Sequence, residues 1–308
     1  MEAARIAAMP WFKGNLHTHT SLSDGDSAPG VVARWYDEAG YDFLCISDHN
    51  VRFDPGFLQS ELAQEGRRIR LIPGEELTSW WQDDERIYAL HVNGYGTSSS
   101  LGDVGGESVP GVLQGLIDRI VENGGMASVN HPNFWSSVGW KDLAALRRLQ
   151  FFEVYNGHPL SFNDGTEDLP SMDTVWDLLL LQGQRVFGLA VDDAHYFQEW
   201  GAEFSNPGRG WVVVEAEEKT SAALTAALAA GRFYASNGPE LSHVEVRSGK
   251  SLRIVTQGGS LIQFIADGEV VEQVDGEVGF CRLGNALSLR ARVVDPTGTA
   301  WVQPLMAG

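Results

Sequence analysis

With 308 residues, 43% of them hydrophobic and 20% charged, the chain is long and apolar enough to bury a sizeable core, as one large domain or two smaller ones. A net charge of −19, from 41 acidic against 22 basic residues, speaks against a nucleic-acid binder, which normally carries a basic stripe. Met1 to Ile6 has no secretory core, no apolar run is long enough to span a bilayer, and the distant pair Cys45 and Cys281 fits no disulfide framework, so a cytoplasmic protein is expected.

In chain order, short apolar runs end in polar residues of the kind that bind metals. Trp11-Phe12 leads to His17-Thr-His19 and on to Ser23-Asp24-Gly25. Asp42 to Ile46 runs into Ser47-Asp48-His49-Asn50, and Ile69 to Ile72 into Pro73-Gly74-Glu75-Glu76. Tyr88-Ala89-Leu90 precedes His91, and Met126 to Val129 precedes Asn130-His131-Pro132. Phe151-Phe152 precedes Glu153-Val-Tyr-Asn156, and Val186 to Val191 precedes Asp192-Asp193-Ala-His195. Trp211 to Val214 is the last such run. Between them, helical spacing is expected over Val31 to Ala39, Phe57 to Glu65, Val112 to Glu122, Leu143 to Leu149, Met172 to Leu181 and Ser221 to Ala230, with Asp142 and Ser171 as N-caps and Gly231 as a C-cap.

Alternating strands and helices imply a parallel sheet, and about seven such units suggest a (β/α) barrel with its chemistry at the strands' carboxyl ends. The expected fold is therefore α/β, with a barrel domain over residues 1–236. From about Asn237 the texture changes to short alternating stretches split by turns such as Gly258-Gly259 and Asp295-Pro-Thr-Gly298. Residues 237–308 are expected to form a small antiparallel β module.

Six of the chain's 8 histidines (His17, His19, His49, His91, His131 and His195) fall in or just after a strand end, which points to bound metal. His17 and His19, two apart on an extended chain, present their imidazoles to the same side. His158 reads as a loop histidine near the site and His243 as a surface residue. Asp48, Asn130 and Glu153 flank ligands and read as groups that orient them.

These motifs, in this order from about Met9 to Tyr196, resemble the PHP (polymerase and histidinol phosphatase) superfamily. The whole chain, with Gly40-Tyr-Asp-Phe43 and Gly231-Arg-Phe-Tyr-Ala-Ser236, is more narrowly similar to its CehA/McbA-like, carbaryl-hydrolase-like branch. The resemblance implies a distorted seven-stranded barrel and two to three divalent metals, zinc, manganese or iron. It assigns one metal to His17, His19, Glu76 and Asp193, a second to Glu76, His91 and His131, and a third to Asp24, His49 and His195. The pattern Gly-x-Glu selects Glu76 as the bridge, with Glu75 as runner-up. Asp24 departs from the family where some members carry histidine.

The activity expected is that of a metal-dependent hydrolase with a metal-bridging hydroxide, a phosphoesterase acting on a small-molecule phosphate ester. His17, Glu76, His131 and Asp193 are its expected catalytic residues. Hydrolysis of a carbamate or carboxyl ester of an aromatic small molecule is the alternative, and a non-catalytic metal-stabilised domain the second alternative. Neither a nucleic-acid nor a membrane partner is expected, and the oligomeric state is left open. Substrate contacts are expected from Arg52, Trp135, Asn156, His158 and Arg209, with aromatic residues such as Trp80, Trp81, Tyr196, Phe197 and Trp200 as further candidates for the wall. The Gly- and Ser-rich stretch Gly96 to Gly111 is expected to be either a lid over the site or a surface excursion.

Overall fold

The regular alternation begins with β1 (Trp11–Asn15), α1 (Pro29–Glu38), β2 (Phe43–Cys45), α2 (Gly56–Gln64) and β3 (Arg70–Ile72). The computed structural model describes residues 9–102, 104–247 and 250–307. The N-terminal stretch Met1 to Ile6 and Asp103 of the Gly- and Ser-rich stretch lie outside them. After β3 the parallel pattern breaks. β4 (Gly74–Gln82) and β5 (Ile87–Tyr95) form an antiparallel hairpin in full register from Gly74–Tyr95 to Gln82–Ile87. Only four residues join the two strands, too few for a helical crossover. Asp83 closes that turn by accepting hydrogen bonds from the amides of Glu85 and Arg86.

Alternation resumes with α3 (Val109–Glu122), β6 (Met126–Val129), α4 (Trp140–Ala144), β7 (Phe151–Asn156), α5 (Met172–Leu181) and β8 (Phe187–Val191). β9 (Trp211–Glu215), α6 (Ser221–Ala229) and β10 (Phe233–Ser236) follow. Ser171 caps α5 by accepting from Thr174 N. Asp142 lies inside α4 instead of capping it, accepting from Gly139 N at 2.9 Å. That helix begins earlier and stops earlier than its sequence suggests, because the Gln184 amide captures the carbonyls of Leu143, Ala144 and Leu146 and Arg148 takes φ 64°.

The strands do not pair as one closed seven-stranded ring. They form two mixed sheets, one ordered β4-β5-β6-β7-β8 and one running through β10-β9-β1-β2-β3. The seven-stranded (β/α) barrel expected from alternation is corrected on two counts. The β4–β5 hairpin replaces a crossover, and β1 pairs antiparallel with β9. Isolated bridges join the two sheets where it matters for the site: Thr18 with Ala194, and His49 with Glu76.

Five further strands make the C-terminal region: β11 (Leu241–Arg247), β12 (Ser251–Ala266), β13 (Glu269–Arg282), β14 (Ser288–Asp295) and β15 (Gly298–Met306), with every pairing among them antiparallel. β15 pairs with β10, so the larger sheet runs unbroken across Asn237. Arg290 on β14 is buried against α5, binding Asp177 at 2.6 and 2.7 Å and Asp173 at 2.8 Å. One apolar cluster fills the space between the smaller sheet and α3 to α5; a second lies under α1, α2 and the C-terminal strands. No helix among the described residues is long and apolar enough to cross a membrane.

Candidate metal centre

Backbone hydrogen bonds between strand-end loops assemble the site. His19 N donates to Ala194 O and Asp193 N to His17 O, which sets the first loop against the one after β8. Glu76 N donates to Asp48 O and Asn50 N to Glu76 O, which sets the loop after β2 along β4. Asn130 N donates to His91 O, bringing the end of β6 beside β5. Gly25 keeps the first loop tight: a Cβ there would stand 2.7 Å from the backbone carbon of His19. His131, Asp193 and Asn50 have φ of 24°, 51° and 54°, so strained backbone concentrates at the loops bearing the ligand-type side chains.

Glu76 sits at the middle, fully buried. Its Oε1 lies 3.4 Å from His17 Nε2, 3.1 Å from His91 Nδ1 and 3.6 Å from His131 Nε2. Its Oε2 lies 3.3 Å from His19 Nε2 and 2.9 Å from His49 Nδ1. Asp193 Oδ1 is 3.1 Å from His17 Nε2 and 3.2 Å from His19 Nε2, and those two nitrogens are 3.1 Å apart. Ligands about 2.0 to 2.1 Å from a tetrahedral ion stand about 3.3 Å from one another, so these four side chains have the spacing of a coordination shell. Asp24 Oδ2 is 3.5 Å from both His49 Nε2 and His195 Nε2, with His19 Nδ1 3.4 Å from Oδ1. Three groups of donor atoms are thus close enough to share an ion: His17-His19-Glu76, His49-Glu76-His91 and His19-Asp24-His49-His195. His131 stands slightly farther out, 3.9 Å from Asp193 Oδ2.

The donor chemistry fits divalent cations. Glu76 Oε2 and both ring nitrogens of His91 are buried and make no well-formed hydrogen bond, although His49 Nδ1 lies 2.9 Å from that oxygen and Glu76 Oε1 3.1 Å from His91 Nδ1; a cation shared between them would satisfy these atoms. Burial pushes the Glu76 and Asp193 carboxyls toward the neutral acid. The imidazoles of His49, His17 and His91 around Glu76, and of His17, His19 and His195 around Asp193, outweigh it and hold both well below the usual carboxylate range. Glu75 points elsewhere, with Oε2 3.3 Å from Ser100 Oγ, and burial raises its pKa.

A layer of buried partners orients this set. Glu153 Oε1 meets His17 Nδ1 at 2.7 Å, while Oε2 accepts from His131 N at 2.7 Å and Asn156 Nδ2 at 2.8 Å. Asn130 Nδ2 donates to Glu76 Oε1 at 2.7 Å. Asp48 ties down the first loop through Thr20 N, Thr20 Oγ1 and Ser23 Oγ. Asp192, which the sequence reading passed over, accepts from Tyr36 OH and from the amides of Arg209 and Gly210. It lies with Asp193 past the end of β8, where Asp193 takes φ 51°, and the two neighbouring carboxylates meet different partners.

The ligand-type side chains open on a cavity of about 610 Å³. Trp80, Phe134, Trp135 and Tyr196 form its apolar wall, with Thr78 and His158 beside them. Trp81 and Phe197 pack into the cores instead, and Trp200 lies beside Trp35 with the rings tilted by 34°. Trp135 is 57% exposed at φ 50°, held by Arg86, which donates to the carbonyls of Trp135 and Ser136. Neither arginine expected at the substrate lines the cavity. Arg52 donates to Thr97 O, and Arg209 to Gly157 O and Gly201 O, so both brace loops. Asn156 also lies behind the cavity, donating to Glu153 and Asp193. No described residue of the 96–108 loop lines it either. Asn123 and Arg119 of the α3 region and Ser79 of β4 hold that loop down.

No family model matches the chain. Its fold is similar to that of a two-domain Bacteroides vulgatus protein described as containing a predicted PHP-like metal-dependent phosphoesterase. The TM-score is 0.55 at 14% identity, covering 94% of this chain and 92% of that one. In sequence, 80 residues, or 26% of the chain, are 30% identical to the 5′-3′ exoribonuclease Rnm of Escherichia coli K12, and the same holds for its Salmonella typhimurium counterpart. The matched stretch spans 27% of each of those relatives.

Proposed function

We propose that the chain is a metal-dependent hydrolase of the PHP superfamily, acting as a phosphoesterase on a small-molecule phosphate ester. The observation that carries this reading is the placement of Glu76, whose two oxygens face different sets of imidazoles at the floor of an open cavity. His17, His19, Glu76 and Asp193 would hold one divalent ion; Glu76, His91 and His131 a second; Asp24, His49 and His195 a third. Bound there, such ions supply an acidified water at neutral pH and positive charge for the ester's oxygens. Glu153 holds His17 in the tautomer that leaves Nε2 free as a ligand. Asn130 fixes the rotamer of Glu76. The aromatic wall receives the organic part of the ester.

Two other substrate classes have an observation in their favour. Among the described residues neither lysine nor arginine lines the cavity, and its wall is aromatic, which suits an uncharged carbamate or carboxyl ester of an aromatic alcohol. This is the chemistry of the carbaryl-hydrolase-like branch that the motifs resemble. The local likeness to exoribonucleases supports a nuclease, and the same lack of cations weighs against it. The test is a panel of aryl phosphates, phosphodiesters and aryl carbamates, run on metal-loaded protein and on the His131→Ala variant. Turnover of a phosphate ester that falls by several orders of magnitude in the variant supports the reading. A parent that cleaves only carbamates moves the assignment to the alternative, and a parent that cleaves nothing refutes hydrolysis.

A further inference from the structure

His158 is the one imidazole at the cavity that the ligand assignment leaves unused. The turn that carries it is fixed on three sides. His158 N donates to Asn156 Oδ1 at 2.8 Å, and its carbonyl accepts from Ser161 N at 3.1 Å and Ser161 Oγ at 2.7 Å. Phe134 meets the ring edge to face at 5.3 Å. The ring itself is held by the chain two residues on: Leu160 N donates to His158 Nδ1 at 3.2 Å.

That last bond decides the ring's chemistry. A neutral imidazole carries one proton, and the nitrogen that accepts a hydrogen bond is the one without it. Nδ1 accepts, so the proton is on Nε2. No hydrogen bond to Nε2 occurs among the described residues, yet the side chain lines the cavity beside His195, ring centres 6.1 Å apart. Among the described residues no lysine or arginine lines the cavity wall to meet negative charge on an ester. Thr78 already engages His49 at 2.6 Å.

On the hydrolase reading above, we propose that His158 is a catalytic residue: a neutral, tautomer-locked imidazole whose Nε2–H binds the ester oxygen on which negative charge builds. The proton stays on nitrogen throughout, since its loss from a neutral ring would leave an imidazolate. The role is that of a fixed donor aimed at the transition state, and such a donor contributes mainly to kcat.

Two variants and one spectrum test this. Removal of a single donor of this type lowers kcat about 10²–10³-fold. His158→Leu is therefore expected to lose at least 100-fold in kcat with KM changed less than about threefold, at parental metal content. His158→Gln, which keeps an N–H near the position of Nε2, is expected to recover at least tenfold of that loss. Nitrogen-15 NMR of the parent is expected to show Nδ1 unprotonated and Nε2 protonated. A ring with its proton on Nδ1 overturns the proposal whatever the kinetics. A parent that cleaves the panel while His158→Leu keeps its kcat overturns it and leaves the hydrolase reading standing; a parent that cleaves nothing removes the hydrolase reading and this role with it.

Discussion

Glu153 is the residue whose replacement reads the metal centre most finely, because it does not line the cavity and makes three short buried hydrogen bonds. In Glu153→Gln one oxygen remains to accept and one amide group must donate. If the oxygen stays with His131 N and Asn156 Nδ2, the new NH₂ faces His17 Nδ1. His17 must then accept at Nδ1, its proton moves to Nε2, and the nitrogen 3.1 Å from both His19 Nε2 and Asp193 Oδ1 can no longer ligate. If the amide turns the other way, two donors oppose His131 N and Asn156 Nδ2, and the loop bearing His131 shifts. Either arrangement damages a ligand. Loss of such an orienting partner costs about 10–100-fold in metal affinity, or roughly 1.4–2.7 kcal/mol. Calorimetric titration of chelator-stripped protein with zinc and with manganese measures it directly, with circular dichroism as the control for folding. A folded variant that binds both metals as tightly as the parent would refute the orienting role.

Three further outcomes are expected. Trp135→Ala should narrow the preference for aryl over alkyl esters of equal leaving-group acidity, chiefly through KM, while metal content stays constant. Equal efficiency on matched aryl and alkyl substrates in the parent would remove the case for an aromatic wall. Arg290→Met should destabilise the fold by about 3–5 kcal/mol in chemical denaturation, because Asp173 and Asp177 lose their buried partner. Burial opposes ionisation of Asp173, yet Arg290 and Arg292 hold its pKa below the ordinary value. Its contribution is therefore present above the unfolded pKa near 3.9 and is lost as pH falls through the lower folded value. Asp173→Asn should flatten that part of the acid-stability curve, and an unchanged slope would contradict the assignment.

The site was more legible than the sheet. Histidines and carboxylates at the ends of apolar runs gave away the strand-end loops, because a barrel-like fold gathers those ends at one face. The hairpin of β4 and β5 was hidden. Leu77 to Gln82 mixes buried and exposed positions on a strand that follows Gly74, and the run Thr78-Ser-Trp-Trp-Gln has no clean period. Side-chain direction was the other blind spot. Arg52 and Arg209 follow the motifs closely, but each guanidinium binds loop carbonyls instead of facing the cavity. Sequence distance from a ligand says little about where a long, flexible side chain finds its acceptors. The stretch Gly96 to Gly111 read as a lid or a surface excursion on composition alone; what fixes it is a set of partners far along the chain, Asn123, Arg119 and Ser79.

The central claim is that Glu76 stands between metals. Elemental analysis of protein purified without chelator tests it most directly. The account predicts at least two equivalents of zinc, manganese or iron per chain; less than one equivalent would contradict it.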